Sequence, residues 1–210
     1  MALTLYVGSK RYSSWSLRPY LALAHTGAAF ETRTILLDQA DTKANIAKVT
    51  AAGRVPVLHD DQLVIWDSLA ICEYVNELSP QAQLWPADRA SRARARSIAS
   101  EMHSGFAALR THMPMDLGAT KPGVGRTPEV LADIARITQI WRDRLAASKG
   151  PFLFGAFGTV DAMFAPVTTR FVTYGVDLDA PCRAYVDAMH ALPAMKQWHA
   201  DAAIEPITRG

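Results

Sequence analysis

The rhythm of hydrophobic and polar positions changes once along this chain. Near the N-terminus, short apolar runs alternate with helical spacings. Leu3-Thr-Leu-Tyr-Val7 predicts a strand, followed by a polar loop over residues 8–14. Over 15–24 the apolar positions Leu17, Tyr20, Leu21, Leu23 and Ala24 recur at helical spacing, and Gly27 stands where a C-terminal cap is expected. Residues 30–37 alternate as a second strand, and 42–50 read as a short polar helix or turn. Residues 55–58 and 63–66, separated by His59-Asp-Asp-Gln62, predict an antiparallel hairpin; Asp67-Ser68 then opens an amphipathic run that ends near Leu78. The order is β-α-β-α-β-β-α. Its first two strands are expected to be parallel, joined by a right-handed crossover.

Residues 79–86 carry prolines and no periodicity, as an interdomain linker does. Beyond them helical spacing takes over, in 88–109, 128–147, 160–174, 183–190 and 194–203, with a loop at 118–127 and no strand signal. The expected class is therefore α/β plus all-α. A small α/β domain over 1–79 precedes an all-helical domain over 88–210, with no internal repeat.

Composition narrows the class without naming a function. The 210 residues are 50% hydrophobic and 20% charged, which excludes disordered, collagen-like and disulfide-scaffold chains. Lys+Arg is 22 against Asp+Glu 20, a formal net of +2, too balanced for a dedicated nucleic-acid binder. Apolar runs are strand-sized, short of the ~20 residues that a membrane helix needs. The opening Met1-Ala-Leu-Thr-Leu has no basic region ahead of an apolar core, so no secretory leader is expected. Cys72 and Cys182 lie far apart, and the histidines lack zinc-type spacing. No metal and a reduced, cytoplasmic setting are expected.

Three short stretches could carry chemistry. In Tyr12-Ser-Ser-Trp-Ser-Leu-Arg18, paired serines precede the first helix. They either cap it, worth ~1 kcal/mol, or hold a bound thiolate beside the positive helix end. The second role is energetically adequate. Lowering a thiol pKa by two units takes about 2.7 kcal/mol, while a hydrogen bond to a charged group supplies ~1.5–3 and a helix end ~0.3–2. Arg54-Val55-Pro56 opens a strand; a trans bond is the default at such a proline, and a cis bond would instead turn the Val55 backbone outward to pair with a peptide-like ligand. Asp67-Ser68 caps the third helix, and its hydroxyl and carboxylate also suit an α-amino-acid head group.

Other features read more plainly. Gly118-Ala-Thr-Lys-Pro-Gly123 has the spacing of a phosphate loop, but Val124 stands where lysine is required. Arg89, Arg92, Arg94 and Arg96 form a solvated helix face, near a dimer contact if there is one. Met102, Phe106, Met113 and Met115 are either core or the lining of an apolar acceptor pocket, and His103 and His112 either approach that pocket or serve core and surface.

Taken in order and spacing, Ser13 to Arg18, Arg54-Val-Pro56, Asp67-Ser-Leu-Ala-Ile71 and Phe154-Gly-Ala-Phe-Gly-Thr-Val-Asp161 resemble the cytosolic glutathione transferases over nearly the whole chain, and the serine loop is most similar to the zeta class. The resemblance implies a thioredoxin-like N-terminal domain, a cis Val55–Pro56 bond, an all-α C-terminal domain, glutathione as cosubstrate without a metal, and a homodimer. Ser13 aligns with the zeta-class catalytic serine, whereas counting back from Arg18 as in theta-like members selects Ser14. The family pattern places Val55 and Pro56 against the cysteinyl part of glutathione. It places Asp67 and Ser68 on the γ-glutamyl amine and carboxylate, and Arg54, Gln39 or Lys43 on the glycine carboxylate. The implied activity is transfer of the glutathione thiolate to a small hydrophobic electrophile, with Met102, Phe106 and Met113 in its pocket. The alternatives are a maleylacetoacetate-type cis-trans isomerase and a non-catalytic binding protein. A thiol–disulfide oxidoreductase is excluded, because positions 13–15 hold no cysteine.

The chain departs from the zeta pattern at several places. Trp15 stands for a cysteine, and Asp67 for the more usual Glu or Gln. Thr173 falls where the isomerases carry a substrate-carboxylate arginine, with Arg170 one turn earlier. Gly158 stands at the Ser/Thr N-cap of the core helix, while Asp161 keeps the third position after it.

Overall fold

Strand β1 (Leu3–Gly8) turns Leu3, Leu5 and Val7 into the core and leaves Thr4 and Tyr6 half-buried, the period-2 pattern of a sheet with one covered face. The computed structural model describes residues 3–208; Met1 and Ala2, where the leader reading and the first domain range start, and residues 209–210, where the second range ends, lie outside them. A parallel partner, β2 (Phe30–Ile35), lies on one side of β1 with Leu3 opposite Phe30. On the other side β3 (Val57–Asp60) runs antiparallel, and β4 (Leu63–Trp66) closes the hairpin, giving the order β2-β1-β3-β4. Helix α1 (Ser14–Thr26) makes the crossover and ends at Gly27, whose φ of 73° is left-handed and whose N–H donates to the Ala24 carbonyl. Helices α2 (Thr42–Ala47) and α3 (Ser68–Leu78) complete a thioredoxin-like N-terminal half.

Two strand ends differ from the pattern. β2 stops before Leu37, whose N–H turns away to donate to Ser9 Oγ at 2.8 Å. β3 starts at Val57 rather than Val55, because Pro56 has no N–H for the ladder; the Val55–Pro56 bond is cis.

The C-terminal half is helical: α4 (Arg89–Ser104), α5 (Ala107–His112), α6 (Pro128–Ala147), α7 (Thr159–Thr173), α8 (Ala180–Ala191) and α9 (Pro193–Ile204). The single helix expected over 88–109 is two helices. The chain breaks at Gly105 and Phe106, the latter left-handed at φ 58°, and Arg110 Nε–H donates to the freed Gly105 carbonyl at 3.0 Å. Residues 79–86 are no loose tether either. They contain a 3-10 turn at Pro80–Ala82 and bury Leu84 and Trp85, and the Leu84 carbonyl accepts from the Thr159 N–H at 2.8 Å.

Helix α7 is buried along almost its whole length, between α1 and α4. Its start explains one departure from the family pattern. A Cβ at Gly158 would sit 2.7 Å from the Leu84 carbonyl oxygen, so the N-cap side chain is sacrificed to the strap that crosses it. Asp161 takes over the capping. Its carboxylate accepts from Gly158 N–H at 3.0 Å, Leu153 N–H at 3.1 Å and the Tyr185 hydroxyl at 3.0 Å.

Burial pushes the Asp161 carboxyl up to about 7, against the pull of those three donors. A folded-state pKa above the unfolded value means that ionisation costs stability, so Asp161's contribution declines as pH rises from about 4 to about 7. Asp161→Asn flattens that decline in urea titrations across the window. Asp161→Ala strands three buried donors and lowers stability by about 3 kcal/mol, and a loss under about 1 kcal/mol would show the cap to be dispensable.

Candidate functional site

The loop between β1 and α1 is built from both halves. The Ser9 carbonyl accepts from Tyr12 N–H at 3.0 Å and Ser13 N–H at 2.8 Å, which folds the loop onto itself. The Lys10 carbonyl accepts from Trp198 Nε1–H at 2.9 Å, and Lys10 Nζ pairs with Asp201 at 2.5 Å. Arg11 pairs with Asp116 at 2.9 Å while its carbonyl accepts from Leu117 N–H at 3.1 Å. The polar loop is thus largely buried, with Ser9 fully so, and the mouth of α1 is held from the far half of the chain.

Ser13 occupies the N-cap position, but its hydroxyl caps nothing. It lies 2.7 Å from Ser16 Oγ, which itself accepts from Gly8 N–H at 3.0 Å. Ser14, the first residue of α1, has a hydroxyl with no hydrogen bond among the described residues. The capping reading does hold at α3, where Asp67 Oδ1 accepts from Leu69 N–H at 2.9 Å and Ala70 N–H at 3.2 Å. Asp67 does so at a φ of 75°, a conformation that non-glycine residues adopt rarely.

A cleft runs between these two helix starts. Its inner lobe, about 410 Å³, is bordered by Ser13, Ser14, Leu37, Arg110, Met115 and Arg170. Its outer lobe, about 600 Å³, is bordered by Pro56, Trp66, Asp67, Ser68 and His103. Trp15, Arg54 and Val55 line both. The cleft therefore brings together Ser13, Ser14, Arg54, Val55, Pro56, Asp67 and Ser68. It does not include Met102, Phe106 or Met113, which are buried in the core; Met115 reaches the cavity instead. Gln39 and Lys43 are exposed and line neither lobe, and His112 is also on the surface.

Two polar features of this cleft stand out. Ser68 is 1% exposed and its hydroxyl has no hydrogen-bond partner among the described residues. Among the described residues, the inner lobe is lined by three arginines (54, 110 and 170) and no acid. Arg170, 3% exposed, donates from Nε to the Met113 carbonyl at 2.9 Å, while Nη1 has no partner. Burial, then Arg110, pulls Arg170 down to about 9. Arg110 donates to the carbonyls of Gly105, Met102 and His103 and keeps Nη1 unpartnered. Behind them Arg18 is fully buried and none of its three guanidinium nitrogens is hydrogen-bonded. Its guanidinium lies 4.3 Å and that of Arg110 4.8 Å from the Trp15 ring centre. Burial, with Arg110 and Arg170, holds Arg18 well below the usual arginine value.

His103 Nε2 sits 3.1 Å from Asp67 Oδ2. Burial lowers the His103 pKa; Asp67 opposes this, and Arg18 and Arg110 add to it. Among the described residues, no group of three or more His, Cys, Asp or Glu could hold a metal ion.

Sequence reasoning quoted Ser16 and Arg18 only as parts of the serine motif, with no role in the site, and passed over Arg110. A charged residue inside Leu17 to Leu23, a run otherwise entirely buried, was the signal for Arg18. Arg110 gave none, since it lies in the last turn of a short helix that also carries exposed residues.

Comparison with known proteins bears on the family and the fold. The model of the glutathione S-transferase N-terminal domain matches residues 12–78, and that of the C-terminal domain matches 89–201. A probable maleylacetoacetate isomerase of Caenorhabditis elegans is 37% identical over 97 residues, 46% of this chain and 45% of that protein. The chain thus matches about half the length of that curated relative. Among solved structures, a glutathione transferase homolog from Burkholderia BGR1 with bound glutathione superposes with a TM-score of 0.74 at 26% identity, covering 97% of this chain and 98% of that one. The Omega 2S transferase of Trametes versicolor in complex with 2,4-dihydroxybenzophenone, at 18% identity, shares the fold with a TM-score of 0.73 over 97% of this chain and 95% of its own.

A buried cation without hydrogen bonds is a cost to the fold, and an apolar side chain of similar length removes it. Arg18→Met is expected to raise the stability of the ligand-free protein by about 1–2 kcal/mol in urea unfolding. An equal loss would mean that Arg18 is well paired in the native state.

Proposed function

The chain belongs to the glutathione S-transferase family, and on that premise we propose that it binds glutathione in the interdomain cleft and transfers its thiolate to an electrophile in the inner lobe. One observation carries this reading. A buried serine hydroxyl without a partner, Ser68, stands at the start of α3, in the same cleft as the Ser13 hydroxyl at the start of α1. The first site suits the γ-glutamyl carboxylate, beside Asp67 for the ammonium. The Val55 backbone takes the cysteinyl amide and Arg54 the glycine carboxylate, which brings the sulfur to Ser13, with Ser14 as the other candidate.

A donor at Ser13 and the amide end of α1 favour the deprotonated sulfur. The thiolate attacks the electrophilic carbon; the displaced electron pair leaves with a leaving group or passes to a conjugated carbonyl that is then protonated. The cleft contributes orientation and a held thiolate. Leu37, Ile46, Pro114 and Met115 border the inner lobe and suit an apolar acceptor body. Arg110 and Arg170 suit an anionic group on it.

The isomerase named for the worm relative is the second reading. There the thiolate adds to a conjugated diketo acid and is expelled after bond rotation. Residues 1–79 serve as the glutathione-binding domain and 88–210 carry the acceptor site. Exposed Leu63 and Trp66 on edge strand β4 support a homodimer, and two free buried cysteines support a cytoplasmic setting.

Ser13→Ala is expected to lower kcat/KM roughly 30–160-fold, the loss of one hydrogen bond of about 2–3 kcal/mol to a charged group. If neither Ser13→Ala nor Ser14→Ala lowers activity, the assignment of the thiolate site is wrong. Benzoylacrylic acid and its methyl ester separate the acceptor classes. The acid is expected to react about tenfold faster relative to its uncatalysed rate, and Arg110→Gln to erase that preference. Turnover of maleylacetoacetate distinguishes the isomerase.

A further inference from the structure

Ser16 is fully buried on the inward face of α1, and among the described residues its hydroxyl has two hydrogen-bond partners: the Gly8 N–H at 3.0 Å and Ser13 Oγ at 2.7 Å. The Gly8 amide can only donate, so Ser16 Oγ accepts there. Ser16 then has one proton of its own. If Ser13 donated to Ser16, that proton would be left fully buried with no acceptor, an arrangement that folded proteins avoid. If Ser16 donates to Ser13, every group of Ser16 is satisfied. The direction Gly8 N–H to Ser16 O–H to Ser13 follows from counting protons, and it leaves the Ser13 proton to whatever lies in the cavity that Ser13 lines.

We propose that Ser16 is a positioning residue that holds the Ser13 hydroxyl as a donor aimed into the cleft, so that Ser13 prefers an anionic sulfur to a neutral one. This rests on the reading of the cleft as a glutathione site. The chain of donors is anchored on a backbone amide that cannot reverse, and each link polarises the next. Gly8 closes the arrangement. A Cβ there would lie 3.0 Å from Ser13 Oγ and 2.8 Å from Leu37 Cδ1, so any side chain at position 8 pushes the serine away. Ser14, by contrast, has no residue behind its hydroxyl to set the proton's direction.

The test is a pH titration of the ultraviolet thiolate absorbance of glutathione bound to the full chain, for wild type, Ser16→Ala, Ser16→Cys and Ser13→Ala. Wild type is expected to bind the thiolate well below the pH at which free glutathione ionises. Ser16→Ala shifts that midpoint up by about one unit, a tenfold loss of thiolate at fixed pH. Its glutathione Kd, by calorimetry, stays within about threefold, since the tripeptide's other contacts are untouched. Ser16→Cys, which keeps a weak donor, falls between the two, and serves if the alanine variant does not fold. A midpoint that stays put in both Ser16 variants while moving in Ser13→Ala overturns the role of Ser16 alone. No bound glutathione in wild type overturns the reading of the cleft, and this role with it.

Discussion

Helix α1 has almost no solvent face. It lies between the sheet and α3 on one side and α7 and α9 on the other, with Ser14, Ser16, Leu17, Arg18 and Tyr20 to Leu23 all buried. Polar groups on such a helix are satisfied inside the protein or by a ligand. That constraint sorts its residues. Ser16 is satisfied by Gly8 and Ser13, whereas Ser14 and Arg18 are left without hydrogen-bond partners for their side chains. The site is what remains once the helix has been packed.

The same constraint explains why neither half makes the cleft alone. The serine loop belongs to the N-terminal half, yet Trp198, Asp201, Asp116 and Leu117 hold its Lys10 and Arg11. The strap at Leu84 and Trp85 ties α3 to α7 by way of Glu73 and Thr159. Packing across the boundary thus sets where the mouth of α1 opens, and two of the three arginines that line the inner lobe, Arg110 and Arg170, arrive on helices α5 and α7.

Much of the fold was legible because period-2 and period-3.6 patterns report which side of an element is buried, and α1, the hairpin and the long C-terminal helices have strong ones. What was illegible depended on contacts distant in sequence. The break at Phe106 interrupts a helical pattern that continues on both sides, and Arg110 stabilises it from beyond the break. Gly158 looked like a weakened cap until Leu84 was seen to occupy the space of its side chain. The same limit holds in the cleft. Ser13, Val55, Asp67 and Ser68 were readable because helix starts and a strand-opening proline have few possible positions. Periodicity assigned Met102 and Met113 to a buried face, but it does not tell a face against other side chains from one against a cavity. Met115, outside any helix, met the cavity.

Charge shows the gap between composition and site most clearly. A net of +2 over the chain describes the surface, where acids and bases intermix. It says nothing of an inner lobe lined by three arginines, with a fourth buried behind Trp15. Like charges gathered around one cavity, with Arg170 buried and Arg110 half-buried, raise the energy of the empty protein and lower that of a complex with an anion. Arg170 makes this concrete. One of its donors is spent on the Met113 carbonyl, which fixes the guanidinium plane, while Nη1 has no partner. A residue chosen only for packing would have been apolar here, as its helix neighbours Val167 and Phe171 are. The cation at this position costs the empty fold energy and suits the anionic group proposed above for the acceptor.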